Sequence, residues 1–194
     1  MTKFSFFVPA VALGLAAATP AVAQDNGFEG ARAEALIGFD HVSIKDFGMS
    51  GLGLGGLVGY DWQDGNIVYG FEGEVDGNTT RKTSVDQDER RAIKANLALS
   101  AGARVGYVLS PKALVYGKAG YTVARFRSDW RDEESKGYAR LVTTGFRVGA
   151  GVEYKLSDAA FVKGEVRLSH YGKDGDLEQG LWREQALAGV GIRF

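Results

Sequence analysis

The sequence predicts an all-β fold: an eight-stranded antiparallel up-and-down β-barrel that spans a membrane, with short turns at one end and four longer loops at the other. Three observations predict it. Apolar residues alternate with polar or small ones in eight stretches, the period of a strand with two unlike faces. The connections between those stretches alternate between short and long. The polar face combines glycine with balanced charge, while the apolar face gathers aromatic residues near the short-turn end.

The first strand sets Ala31, Ala33, Ala35, Ile37 and Phe39 against Arg32, Glu34, Gly38 and Asp40. The second sets Leu52, Leu54, Val58, Tyr60 and Trp62 against Gly53, Gly55, Gly59 and Asp61, and the third sets Ile67, Tyr69, Phe71 and Val75 against Gly70, Glu72, Glu74 and Asp76. The fourth is expected to run without interruption from Ile93 to Tyr107, with Lys94 and Arg104 on its polar face. Val115 to Val123, Val142 to Tyr154, Val162 to Ser169 and Ala186 to Phe194 supply the other four. Gln63–Asn66, Leu109–Lys112 and Leu156–Ala159 carry tight-turn chemistry. Ser43–Ser50, Gly77–Arg90, Ser128–Gly137 and Gly172–Trp182 are expected as long polar loops.

Periodicity does not say which face is buried. A soluble barrel points its apolar face inward, whereas a membrane barrel turns it to lipid and keeps a polar lumen. Thirteen glycines of the polar face, such as Gly70, Gly102 and Gly151, would weaken an exposed strand surface. They suit the interior of a closed eight-stranded barrel, which has room only for side chains. The charges of that face are nearly balanced, as buried charges must be. Arg32, Glu34, Asp40, Glu72, Glu74, Lys94, Arg104, Lys118, Arg147, Glu153, Lys163, Glu165 and Arg167, joined by Asp61 and Arg193, form the expected lumenal charge network. Tyr60, Trp62, Tyr69, Tyr107, Tyr154 and Phe194 lie near the short-turn end of the apolar face, as an interfacial girdle does.

The chain opens with "MTKFSFFVPAVALGLAAATPAVAQ", in which Lys3, the apolar run from Phe4 to Ala18, and Ala21-Val22-Ala23 read as a cleavable export signal. Residues 1–23 are the expected signal peptide, Ala21 and Ala23 flank the cleavage motif, and residues 24–194 form one barrel domain. A formal charge of −1 argues against a nucleic-acid partner, and zero cysteines exclude thiolate chemistry and disulfides. Two histidines far apart offer no transition-metal site, and no cofactor is expected. Ser169 and His170 are adjacent and so face opposite ways on a strand, which opposes a nucleophile–base pair.

The stretches "VYGKAGYTVARF", "GFRVGAGVEYKLS", "KGEVRLSHYG" and "GVGIRF" resemble the small outer-membrane β-barrel proteins of the porin family, the OmpA-like and opacity-protein-like barrels of Gram-negative bacteria. The resemblance implies export to the outer membrane and insertion by the barrel assembly machinery. It also implies that Val190, Ile192 and Phe194 serve as the assembly signal. Arg91, Arg125, Arg127 and Arg140 are expected to share one outward cluster at the long-loop ends of neighbouring strands. The plainer reading of such a cluster is arginines that snorkel at an interface; the sharper one is contact with lipopolysaccharide phosphates. The leading functional reading is a monomeric, non-enzymatic, envelope-stabilising protein with displayed loops. A surface adhesin or ligand receptor, and a narrow pore of low conductance, stay open.

Overall fold

The computed structural model describes residues 27–44, 47–78, 82–86, 89–94, 97–131, 136–172 and 181–194, with side chains at 27–43, 50–77, 97–124, 142–172 and 181–194. The expected signal segment, with Ala21 and Ala23, lies outside the described residues. Ten strands follow one another: β1 (Gly30–Ile44), β2 (Phe47–Asp64), β3 (Ile67–Asn78), β4 (Lys82–Asp86), β5 (Glu89–Lys94), β6 (Leu97–Ser110), β7 (Ala113–Arg131), β8 (Lys136–Lys155), β9 (Ala160–Tyr171) and β10 (Leu181–Arg193). Eight of them form the barrel, each antiparallel to its neighbours, in the order β1-β2-β3-β6-β7-β8-β9-β10. β10 pairs back onto β1 from Arg32–Arg193 to Ser43–Trp182, and this closes the sheet.

The registers define the size of the barrel. A walk across paired residues runs Gly30, Asp61, Gly70, Arg104, Lys118, Gly149, Arg167, Gln185 and back to β1 at Asp40. It returns ten residues from its start. With strands about 4.8 Å apart and a rise of about 3.3 Å per residue, eight strands and this stagger impose a tilt of about 40° and a backbone radius of about 8 Å. Side chains projecting inward from opposite walls therefore meet at the axis.

Turn chemistry fixes the short-turn end. Asp64 opposes Ile67 across a two-residue turn, and Gly65 adopts φ +56°, a left-handed conformation that glycine takes without steric cost. Ser110 and Ala113 close around Pro111-Lys112, and the Phe194 N–H donates to the Ala31 carbonyl at 2.8 Å.

The long-loop end departs from expectation. β1 and β2 stay paired as far as Ile44–Phe47, and β7 and β8 as far as Arg131–Lys136, so most of two expected loops is strand. The third contains the β4–β5 hairpin, whose β5 pairs with the outer part of β7. The expected uninterrupted fourth strand is two strands with different registers. Ala98 of β6 opposes Ala124 of β7, but Lys94 of β5 opposes Arg127, one residue out of step. A one-residue slip exchanges the two faces of a strand. Alternation is a signal only where one face is apolar. Beyond the membrane both faces meet water, and pairing continues without a pattern.

Folded in detergent micelles, the chain without Met1–Ala23 is expected to show β-type circular dichroism. On a gel, the unheated sample is expected to migrate differently from the boiled one. Identical migration would contradict a closed barrel.

Candidate functional site

Position along a strand decides what a lumenal side chain meets. Just inside the short-turn end, Phe28, Val68 and Leu114 pack together with Val108 into an apolar floor. At the opposite end Ala98, Ala124, Tyr171 and Leu181, with Val42, form an apolar roof. Neither apolar layer is evident from alternation, because its members sit on the polar parity of their strands.

Between floor and roof lies a continuous ion-pair network. In its lowest layer Asp61 takes Arg104 through Nε at 2.8 Å and Nη2 at 2.6 Å, Arg193 at 2.7 Å and Arg32 at 3.0 Å. Glu153 shares Arg104 at 3.1 Å and Arg193 at 2.7 Å. In the middle layer Arg32 binds Glu34 and reaches Glu72 at 2.6 Å, while Lys163 joins Glu34 at 2.5 Å and Glu165 at 3.1 Å. Lys118 contacts Glu72 and lies 3.1 Å from Glu165, and Arg167 bridges Glu165 and Glu74. The Tyr116 hydroxyl donates to Glu165 at 2.6 Å. In the upper layer Arg147 spans Glu74 at 3.2 Å and Asp76 at 2.9 Å, and its Nε donates to the Ser169 hydroxyl at 3.1 Å. Arg183 joins Asp40 at 2.5 Å to Asp76 at 2.7 Å.

Among the described residues, eight cations (Arg32, Arg104, Lys118, Arg147, Lys163, Arg167, Arg183, Arg193) meet eight anions (Glu34, Asp40, Asp61, Glu72, Glu74, Asp76, Glu153, Glu165). The formal charges of these sixteen described residues balance, and several carboxylates bridge two or three strands. Glycine makes room for this. A Cβ on Gly70, between Asp61 and Arg104 in the register, would strike the Asp61 carboxylate and the Tyr60 carbonyl.

Twelve of the thirteen residues expected in the network have described side chains, and the ion pairs above bring all twelve together. The Lys94 side chain lies outside the described residues. In the backbone register Lys94 of β5 stands opposite Arg127 of β7. The side chains of the expected arginine cluster, Arg91, Arg125, Arg127 and Arg140, also lie outside the described residues; in the backbone register Arg91 pairs with Trp130, Arg125 with Val142 and Arg127 with Arg140. Arg183 was not expected in the network. Extending the alternation of the last strand two residues past Gln185 finds it.

The outward face is apolar, with Phe39 75%, Phe146 71% and Val166 62% exposed. Near the short turns Trp62 stacks on Tyr69 with ring centroids 5.8 Å apart and meets Tyr60 in a tilted contact at 5.0 Å. A second aromatic row, missed in the sequence, follows the register Tyr121–Phe146–His170–Trp182 near the opposite end. Tyr121 packs edge-on to Phe146 at 5.6 Å, and His170 lies 4.4 Å from Trp182. Trp182 and Phe194 bound a stretch of β10 about 40 Å long, or about 30 Å of height at the barrel's tilt, which matches a hydrocarbon layer. His41, also outward, is hydrogen-bonded through Nδ1 to the Ser50 hydroxyl at 2.9 Å.

An inward charged lumen and an outward apolar band between aromatic rows define a transmembrane β-barrel of the outer-membrane type. Comparison with known proteins gives the particular family. Residues 8–194 match the outer membrane protein beta-barrel domain, and the chain belongs to that family. It is 33% identical over 163 residues to a 22 kDa outer membrane protein of Rhizobium leguminosarum, covering 78% of this chain and 72% of that one. It is 33% identical over 141 residues to the 25 kDa outer-membrane immunogenic protein of Brucella ovis, covering 72% of this chain and 62% of that protein's length. Among solved structures, Neisserial surface protein A superposes with a TM-score of 0.61 at 16% identity, covering 85% of this chain and 97% of that one. Ail of Yersinia pestis, in complex with a heparin analogue, gives 0.57 at 14% identity, covering 85% and 99%. These two show the fold. The protein is an outer-membrane β-barrel protein.

Asp61→Ala leaves Arg32, Arg104 and Arg193 short of their shared carboxylate. It is expected to destabilise the folded barrel by about 3–5 kcal/mol in urea titrations in micelles. A companion Arg104→Met change in the same chain is expected to recover part of that loss, because one uncompensated charge leaves with its partner.

Proposed function

We propose that this is a non-enzymatic, monomeric structural protein of the outer membrane, which stabilises the envelope and carries a displayed extracellular sheet. The neutral, cross-linked lumen between two apolar layers carries this reading. A radius of about 8 Å filled by paired side chains leaves no continuous water path. The cavity between Glu72, Glu74, Lys118 and Arg147 measures about 10 Å³, room for about one water.

Catalysis is disfavoured on similar grounds. Ser50 and His41 place a hydroxyl beside an imidazole, but a hydrolase also needs donors aimed at an oxyanion. Backbone N–H groups in a continuous ladder are already engaged in strand pairing. Ser169 is buried and accepts from Arg147, with His170 on the outer wall. On assembly, Val190, Ile192 and Phe194 share the outward face of the last strand, so the barrel assembly machinery would meet them before closure.

A second reading, a surface adhesin or receptor, is favoured by one observation. β4, β5 and the outer parts of β7 and β8 form a sheet beyond the barrel, a ready platform for contact with other molecules. Brucella relatives named immunogenic outer-membrane proteins are consistent with surface display.

In planar lipid bilayers the purified protein is expected to give no discrete conductance steps, with membrane current remaining at baseline. Reproducible single-channel steps would instead establish the narrow-pore reading. Ester hydrolysis in micelles is expected at background, unchanged by Ser50→Ala.

A further inference from the structure

Glu184 alternates outward with Trp182 and Ala186 on β10, so its carboxylate stands on the lipid-facing wall. It lies two residues inside Trp182, about 5 Å of height below the aromatic residue that bounds the apolar stretch. Among the described residues no cation pairs with it. A carboxylate facing hydrocarbon is costly unless it is neutralised or given a partner, so an ionisable group at this depth marks a site.

Two neighbours extend it into a polar row. Glu184 stands opposite His41 of β1, and His41 stands opposite Ser50 of β2. Three exposed polar side chains thus lie side by side over about 10 Å of outer wall. The hydrogen bond of His41 Nδ1 to the Ser50 hydroxyl, at 2.9 Å, leaves Nε2 for a ligand. With Nδ1–H as the donor, Nε2 carries the free lone pair. Side chains directly opposite one another are about 5 Å apart at Cβ, near enough for one donor to reach both Glu184 and His41.

The row stands at the upper end of an open groove of about 760 Å³ on the outer wall. That volume falls within the range of about 300–1,000 Å³ of small-molecule sites. Beneath the polar row, toward the centre of the membrane, Phe39, Ala186, Val166 and Ala150 form the next outward row across β1, β10, β9 and β8. Phe39 and Val166 protrude on either side of Ala186, whose methyl group leaves the depression between them.

We propose that this groove docks an acyl lipid whose headgroup carries a primary ammonium. The ammonium sits between Glu184 and His41, and an acyl chain lies over Ala186 between Phe39 and Val166. Charge complementarity selects the head. An ionised carboxylate on this wall calls for a cation, and an ammonium with three N–H donors engages both acceptors. A quaternary ammonium has no N–H to donate and is held by aromatic cages instead. An anionic head would meet Glu184 with like charge. The apolar groove beneath selects the tail, which a soluble amine lacks.

The test measures lipid retention by native mass spectrometry on the full chain folded in non-ionic detergent micelles. Phosphatidylethanolamine, phosphatidylcholine and phosphatidylglycerol with the same acyl chains are offered in turn. Phosphatidylethanolamine is expected to bind at least about tenfold more tightly than either of the others. Glu184→Gln is expected to bring it down to the level of phosphatidylcholine. Ala186→Phe, which fills the groove, is expected to weaken it by about tenfold, the loss of the buried chain contacts. Ala103→Phe, on the outer wall of β6, is expected to leave it unchanged. Heat-dependent gel mobility establishes that each variant is folded. If Glu184→Gln does not fold, His41→Leu carries the test, with an expected loss of about threefold. Equal retention of the three lipids, an unchanged Glu184→Gln, or an equal loss in Ala103→Phe overturns the proposal. So does displacement of the lipid by glycerophosphoethanolamine, which has the head without the chains and would make this a site for a soluble amine. The envelope-stabilising reading rests on the filled lumen and would survive any of these failures.

Discussion

Closure of eight strands with a stagger of ten residues governs the rest of the molecule. It leaves a lumen of about 8 Å backbone radius, too narrow for bulk water and too wide to be left empty. Whatever fills it comes from inward positions that alternate with lipid-facing ones on the same strands. Leu36, Leu57 and Leu187 show that apolar side chains fit inside as well. Most of the volume nonetheless goes to charges, and the network holds because almost every ion meets more than one partner. Asp61 alone ties β2 to β1, β6 and β10. Such cross-links act across the barrel, where backbone ladders do not.

The charge pattern also bears on how the chain reaches its membrane. A strand with arginine, glutamate and glycine on one side and modest apolar residues on the other is a weak hydrophobic signal. The chain can therefore cross an aqueous compartment unfolded and become apolar on its outside only when the barrel closes. Closure removes both hydrogen-bonding edges, which lipid would leave unsatisfied. The aromatic rows of Trp62 with Tyr69 and of Phe146 with Trp182 then lie at the two interfaces.

Alternation made the barrel legible, because membrane and lumen impose opposite demands on successive residues. It placed Arg104, Glu153, Lys163 and their partners inside without any knowledge of contacts. It failed where those demands end. Above the membrane, β4, β5 and the outer parts of β7 and β8 are paired strands that no side-chain period announces. The one-residue slip between β5 and β6 is a property of pairing, invisible in a single strand's sequence. Arg183 lies three residues before Ala186, where the alternation of the last strand is first evident. The apolar floor and roof, Phe28 with Leu114 and Tyr171 with Leu181, break the polar parity and so were unreadable as lumenal.

The charged face is a filled interior and the apolar face meets lipid. The absence of cysteine permits a direct measurement: single cysteines along β9 from Val162 to Ser169, each carrying a nitroxide, in the protein reconstituted into lipid vesicles. Labels at Val166 and Leu168 are expected to be accessible to oxygen dissolved in the bilayer. Lys163, Glu165 and Arg167 should be shielded both from oxygen and from a water-soluble nickel complex. Free access of the nickel complex to Glu165 and Arg167 in a folded barrel would instead mean a water-filled channel.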